Sequence, residues 1–189
     1  SFGAGINNAF MGAELHYDGS TVWFHPEERK EIQKLHFEFD PDNKWLKRVC
    51  DVLKACKDKW QDDVLVILPD IGGTFDILSV FRNPENLMFD MYDKPDEVTR
   101  TATEIRNTWL QYFDLFAEIL GSDNQGYASW ATIHSEKPHY IYQCDFAYML
   151  SPDLFEQFVK PDLIAVAEKL PNGIYHLDGE NQMNFLDSI

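Results

Sequence analysis

The chain has 189 residues, enough to bury one sizeable core, and its 44% hydrophobic and 14% aromatic content places it outside the composition of disordered chains. Sixteen Lys+Arg against 32 Asp+Glu leave a formal net charge of -16, a field that repels nucleic-acid phosphates and anionic membranes, with no local basic cluster to offset it. No run approaches the roughly 20 apolar residues of a membrane span, and the first residues carry no basic-then-apolar leader. Cys50 and Cys56 point to different sides of one predicted helix and Cys144 is far away in sequence, so reduced thiols and a cytoplasmic location are expected.

Residues 1–12 are small and Gly/Asn-containing. The β-prone runs Ala13–Tyr17 and Thr21–Phe24 flank Asp18-Gly19, which predicts a hairpin excursion over about 13–25. Asp42 or Asn43 can cap a helix on which Trp45, Val49, Val52, Leu53, Cys56 and Trp60 recur at helical spacing. Asp62-Asp63 breaks that pattern. Val64–Leu68 is then a continuous apolar run of the kind buried on both faces of a parallel sheet.

After the turn Pro69–Gly73, helices are expected over Phe75–Phe81, Pro84–Tyr92 and about Pro95–Leu120. The last carries Val98, Ala102, Ile105, Trp109, Tyr112, Phe113, Phe116 and Leu120 on one stripe, opened by Pro95 and ended by Gly121. Tyr127–Ile133 and Tyr140–Cys144 read as strands. The link Ser135–Pro138 is too short for a helical crossover, so one of them is an excursion or an extension. Ser151-Pro152 starts a helix that Pro161 kinks or splits, carrying Leu154, Phe155, Phe158, Leu163, Ile164 and Val166. Pro171-Asn172-Gly173 stops it, and Ile174–Asp178 is a short strand before a further helix.

Strands alternating with helices predict an α/β fold with a parallel sheet. Only three or four barrel-type strands are present, where a complete (β/α)8 barrel takes about 250 residues. The chain is therefore expected to be a single domain, 1–189, that is an excerpt of such a barrel.

The carboxyl ends of the strands are where such folds build sites. Alternate strand residues share a face, so His176 points with Asp178 and Gln143 with Asp145. A converging imidazole and carboxylate can hold a divalent metal, act as a base with its orienting group, or form a structural couple. Asp145 sits where an ionised carboxylate is costly unless it serves a ligand or caps a turn. Asp70 precedes a Gly-Gly turn that lacks any phosphate-binding spacing, and with Gln143 and Trp130 it is the candidate for lining a small-molecule substrate. Cys144 reads as a core residue, and the remaining histidines have no paired spacing.

Three stretches together resemble the uroporphyrinogen decarboxylase superfamily, which includes cobalamin-dependent methyltransferases acting with coenzyme M. They are Asp70–Leu78 running on to Asn86–Pro95, Gln143–Phe146 with Leu150–Pro161, and Tyr175–Gly179. The resemblance implies a TIM barrel, of which this chain covers the middle, and either a methyltransferase, with a corrinoid supplied by a separate partner protein, or a decarboxylase (lyase) of a tetrapyrrole or another acidic substrate. A barrel that has lost catalysis and only binds a small molecule is the third possibility. It also implies roles for Asp145, His176 and Asp178 as catalytic residues, with zinc on His176 and Asp178. The family's decarboxylases carry an aspartate that falls near Gly3 and a tyrosine that falls near Ser79, and this chain has neither. In the methyltransferase branch the metal motif is His-x-Cys, and Asp178 replaces that cysteine with a harder ligand.

Overall fold

The computed structural model describes residues 2–60, 63–121 and 124–189; Asp62, half of the expected breaker, lies outside them. After a short helix α1 (Asn7–Phe10), strands β1 (Glu14–Tyr17) and β2 (Val22–His25) pair antiparallel, as Asp18-Gly19 predicts. The register places Tyr17 opposite Val22, so the loop has four residues. Asp18 organises it: one carboxylate oxygen accepts from the N–H groups of Ser20 and Thr21, and the other accepts from Trp23 Nε1 at 2.7 Å. These bonds hold the Asp18 carboxyl far below the usual carboxylate range.

Helix α2 (Lys44–Trp60) is capped by Asn43, whose Oδ1 accepts from Trp45 and Leu46 N–H while its amide donates to the Ala9 and Phe10 carbonyls. The cap thus also fixes α2 against α1. The helix buries Leu46, Val49, Cys50 and Leu53, but Val52 and Trp60, expected on the buried stripe, are exposed. Helices α3 (Thr74–Arg82) and α4 (Pro84–Asp93) meet at Asn83, a residue with φ of +77° whose side chain caps α4. Helix α5 (Pro95–Leu120) has the predicted bounds, and all eight residues of its stripe are buried. Each such large side chain contributes roughly 1.5–3 kcal/mol. Phe10, Tyr112 and Phe116 pack ring against ring where α5 crosses α1.

The strands are shorter than their apolar runs suggest. Residues 64–68 form no ladder: Asn124 uses its side-chain amide to accept from Val66 N–H and donate to Val66 C=O, and Leu68 N–H reaches the Ala128 carbonyl at 3.2 Å. Burial alternates there, with Val66 and Leu68 inside and Val64 and Ile67 exposed, so the run is not buried on both faces. The expected strand over Tyr127–Ile133 folds back on itself instead. Its two-residue strands β3 (Tyr127–Ala128) and β4 (His134–Ser135) pair antiparallel around a turn containing Trp130 and Thr132. This is the excursion that the short link demanded.

Strand β5 (Ile141–Gln143) leads through Ser151, which caps α6 (Pro152–Leu154), into a π-helical turn at Phe155–Val159 and then α7 (Lys160–Lys169). The widened turn lies immediately before Pro161, which has no N–H to donate and would clash in a regular α-helix interior. Ile164, expected in the core, is exposed on α7. Strand β6 (Ile174–His176) pairs parallel with β5, and 3-10 turns follow over Glu180–Phe185 in place of the expected helix. The described residues thus form a mixed helix and strand fold with one parallel strand pair and no closed barrel. No described helix is long and apolar enough to cross a membrane.

Candidate functional site

Two links bring the carboxyl ends of the extended segments together. The buried Tyr140 hydroxyl donates to the Pro69 carbonyl at 2.8 Å and accepts from Ile71 N–H at 2.7 Å, tying the start of β5 to the turn around Asp70. Trp109 of α5 donates from Nε1 to the Gly72 carbonyl at 2.9 Å, so the helical layer holds the same turn from behind. Each glycine of that turn has its own reason. Gly72 has φ of +70°, and a Cβ on Gly73 would stand 2.0 Å from the Gln143 carbonyl oxygen.

The parallel register sets Gln143 opposite His176, so the two side chains share a face. Trp130, from the β3–β4 turn, meets His176 edge to face, with ring centroids 5.0 Å apart at 86°. Asp145 and Asp178 stand exposed at the rim, one after each strand. Loss of hydration, and then the charge of Asp178, push the Asp145 carboxyl above its usual range, while His176 acts in the opposite direction. Asp70 is half-buried and pushed up by burial, offset by N–H groups of Gly72 and Gly5 and by His176. Asp70, Trp130, Gln143, Asp145, His176 and Asp178 therefore border one mouth. Cys144 faces the core, and burial drives its thiol far above the usual range, which makes it inert as a nucleophile.

One residue of this mouth is absent from the sequence reading. Asp76, in the first turn of α3, accepts from Phe146 N–H at 2.8 Å through one oxygen; its other oxygen is buried with no hydrogen-bond partner among the described residues. Burial pushes this carboxyl up to about 6, with the charges of Asp145 and Asp70 adding to the rise. The Gly-Gly turn was the available signal, because it lets the start of α3 approach β5. Trp130 Nε1 and Gln143 Oε1 are likewise buried without partners.

The mouth is acidic throughout. Among the described residues, no Lys or Arg forms an ion pair with Asp70, Asp76, Asp145 or Asp178. A zinc ion needs three or four ligands, and no described group of three His, Cys, Asp or Glu side chains is placed to hold a metal. His176 and Asp178 alone do not complete such a site. The corner at Gly3 is closed: Gly3 has φ of +83°, and a Cβ there would lie 2.6 Å from Val22 Cβ of the hairpin. Ser79 donates its hydroxyl to the Asp76 carbonyl within α3.

No family model matches this sequence, and no curated protein matches it. Among solved structures, a methyltransferase from Methanosarcina mazei is similar in fold, with a TM-score of 0.62 at 15% identity over 95% of this chain. The chain spans 50% of the length of that methyltransferase.

Proposed function

We propose that this chain forms part of a (β/α)8 barrel of the uroporphyrinogen decarboxylase superfamily and contributes to a methyltransferase-like active site. The likeness to the archaeal methyltransferase supports the fold. So does the order of extended segments: Ile6 N–H bonds the Asp70 carbonyl, Leu68 N–H the Ala128 carbonyl, and β5 pairs with β6. The observation that carries the chemistry is His176 set among Gln143, Trp130 and the Asp70, Asp145 and Asp178 carboxylates.

In this reading His176 takes the proton from an acceptor X–H as the new X–C bond forms. Asp145 and Asp178 stabilise the imidazolium, and Gln143 and Trp130 position the acceptor. A corrinoid on a partner protein would supply the methyl group and keep the electron pair of the broken bond. The exposed rim leaves room for a methyl group presented from another protein's surface. Zinc at His176 and Asp178 would need at least one ligand from outside the described residues, and no step here depends on it.

Decarboxylation of an anionic tetrapyrrole fits less well, because the described residues place no basic clamp at the mouth and Val22 fills the corner at Gly3. The test is methyl transfer from free methylcobalamin to a panel of amines, thiols and alcohols, followed by the visible spectrum of the corrinoid. His176→Ala should lower the rate at least about 100-fold with the far-ultraviolet circular dichroism unchanged. No transfer to any acceptor by the native protein would sink the methyltransferase reading and leave a binding barrel.

A further inference from the structure

Beside the mouth runs a cleft of about 470 Å³ whose walls include Val52, Val66, Ile67 and Cys56. Its lining is apolar with one exception. Among the described residues Asp70 is the only charged one on it, and Trp130, the ring that meets His176, is the indole at the same end. No basic side chain among the described residues lines the cleft.

A carboxylate beside an indole at the head of an apolar trough matches one ligand chemistry. An ammonium group gains a charge-assisted hydrogen bond from Asp70 and cation–π attraction from the Trp130 face, and a short alkyl body leaves water against Val52 and Ile67. An anion in the same place would meet Asp70 at close range, with Asp76, Asp145 and Asp178 behind it and no Lys or Arg among the described residues paired with them. Among the described residues, two buried acceptors, Asp76 Oδ2 and Gln143 Oε1, and one buried donor, Trp130 Nε1, lack partners around this mouth, so the sign of the ligand is set by the carboxylates rather than by these groups.

We infer that the site selects a small organic cation, a protonated amine with a short alkyl body, with its ammonium between Asp70 and Trp130. The inference deepens the proposed function and rests on reading this mouth as a substrate site. It sets the chain apart from an enzyme whose substrate enters as a carboxylate or sulfonate.

The test is binding to the full chain without any methyl donor, by calorimetry and by two-dimensional NMR, using butylammonium, butanol and butyrate as a matched set. Butylammonium should bind at least roughly tenfold more tightly than the other two, with indole shifts at Trp130. Asp70→Asn, which keeps an acceptor for Gly72 N–H, should remove that preference, and Trp130→Leu should weaken the cation alone. Equal or tighter binding of butyrate or butanol, or cation affinity unchanged in both variants, overturns the inference, as does the absence of binding by all three. If Asp70→Asn fails to fold, Trp130→Leu and the shift map decide alone. Cation binding without methyl transfer keeps this inference and removes the methyltransferase reading; transfer to an anionic acceptor with no cation binding does the reverse.

Discussion

Helix α5 and the strand-built mouth face each other across the turn at Gly72, and they obey different rules. The helix satisfies its backbone within itself, so its stripe needs only a surface to press on, and all eight stripe residues are buried. The extended segments depend on neighbours for every hydrogen bond. Of the three ladders among the described residues, two are only two or three residues long per strand, and at residues 64–68 the Asn124 side chain stands in for a strand partner of Val66. Backbone support is thus continuous within the helical layer and sparse at the ends of the short strands.

The sharpest way to break this division is at the residue that joins the two regions. Trp109→Ala removes a buried ring from the α5 stripe and the donor to Gly72, and should cost about 3–5 kcal/mol by urea unfolding. A loss under about 1 kcal/mol would mean that the helical layer does not carry the fold.

A second measurement separates the regions by pH. The Asp76 carboxyl is raised in the folded chain, so the native state holds its proton more tightly than the unfolded state between its ordinary value of 3.8 and about 6. Stability from this group therefore falls as pH rises through that window. Asp76→Asn abolishes this dependence, and relative to the native chain it should gain about 2–3 kcal/mol on going from pH 4 to pH 7. Asp162, also pushed up to about 6 by burial but paired with Arg106, is present in both proteins and cancels in the comparison. A parallel pair of pH profiles would show that Asp76 is hydrated.

The smallest effect is expected where periodicity misplaced a residue. Ile164→Ser on the exposed side of α7 should change stability by less than about 0.5 kcal/mol, measured in the same way.

The helices were legible in the sequence because caps and 3.6-residue spacing are local: Asn43, Ser151, Pro95 and Gly121 mark ends that the structure keeps. Periodicity locates a stripe but not its width, which is why Val52, Trp60 and Ile164 were assigned to the core. Residues 64–68 could not be read correctly, since their partner is an amide side chain more than fifty residues away. At the mouth, alternation along a strand placed Gln143 with Asp145 and His176 with Asp178. The shared face of Gln143 and His176 is a matter of register, and the burial of Asp76 depends on Gly73 approaching β5; both are tertiary facts.

The tight corner between Gly3 and Val22 has a consequence for descent. Any side chain at position 3 must displace the hairpin, so a carboxylate there and this hairpin are alternatives. A lineage that keeps the hairpin is bound to glycine at that position, and one that places an acid there must remodel residues 14–25 in the same step. The two positions are expected to change together among relatives of this chain, glycine with a bulky residue at 22 and aspartate with an altered or missing hairpin.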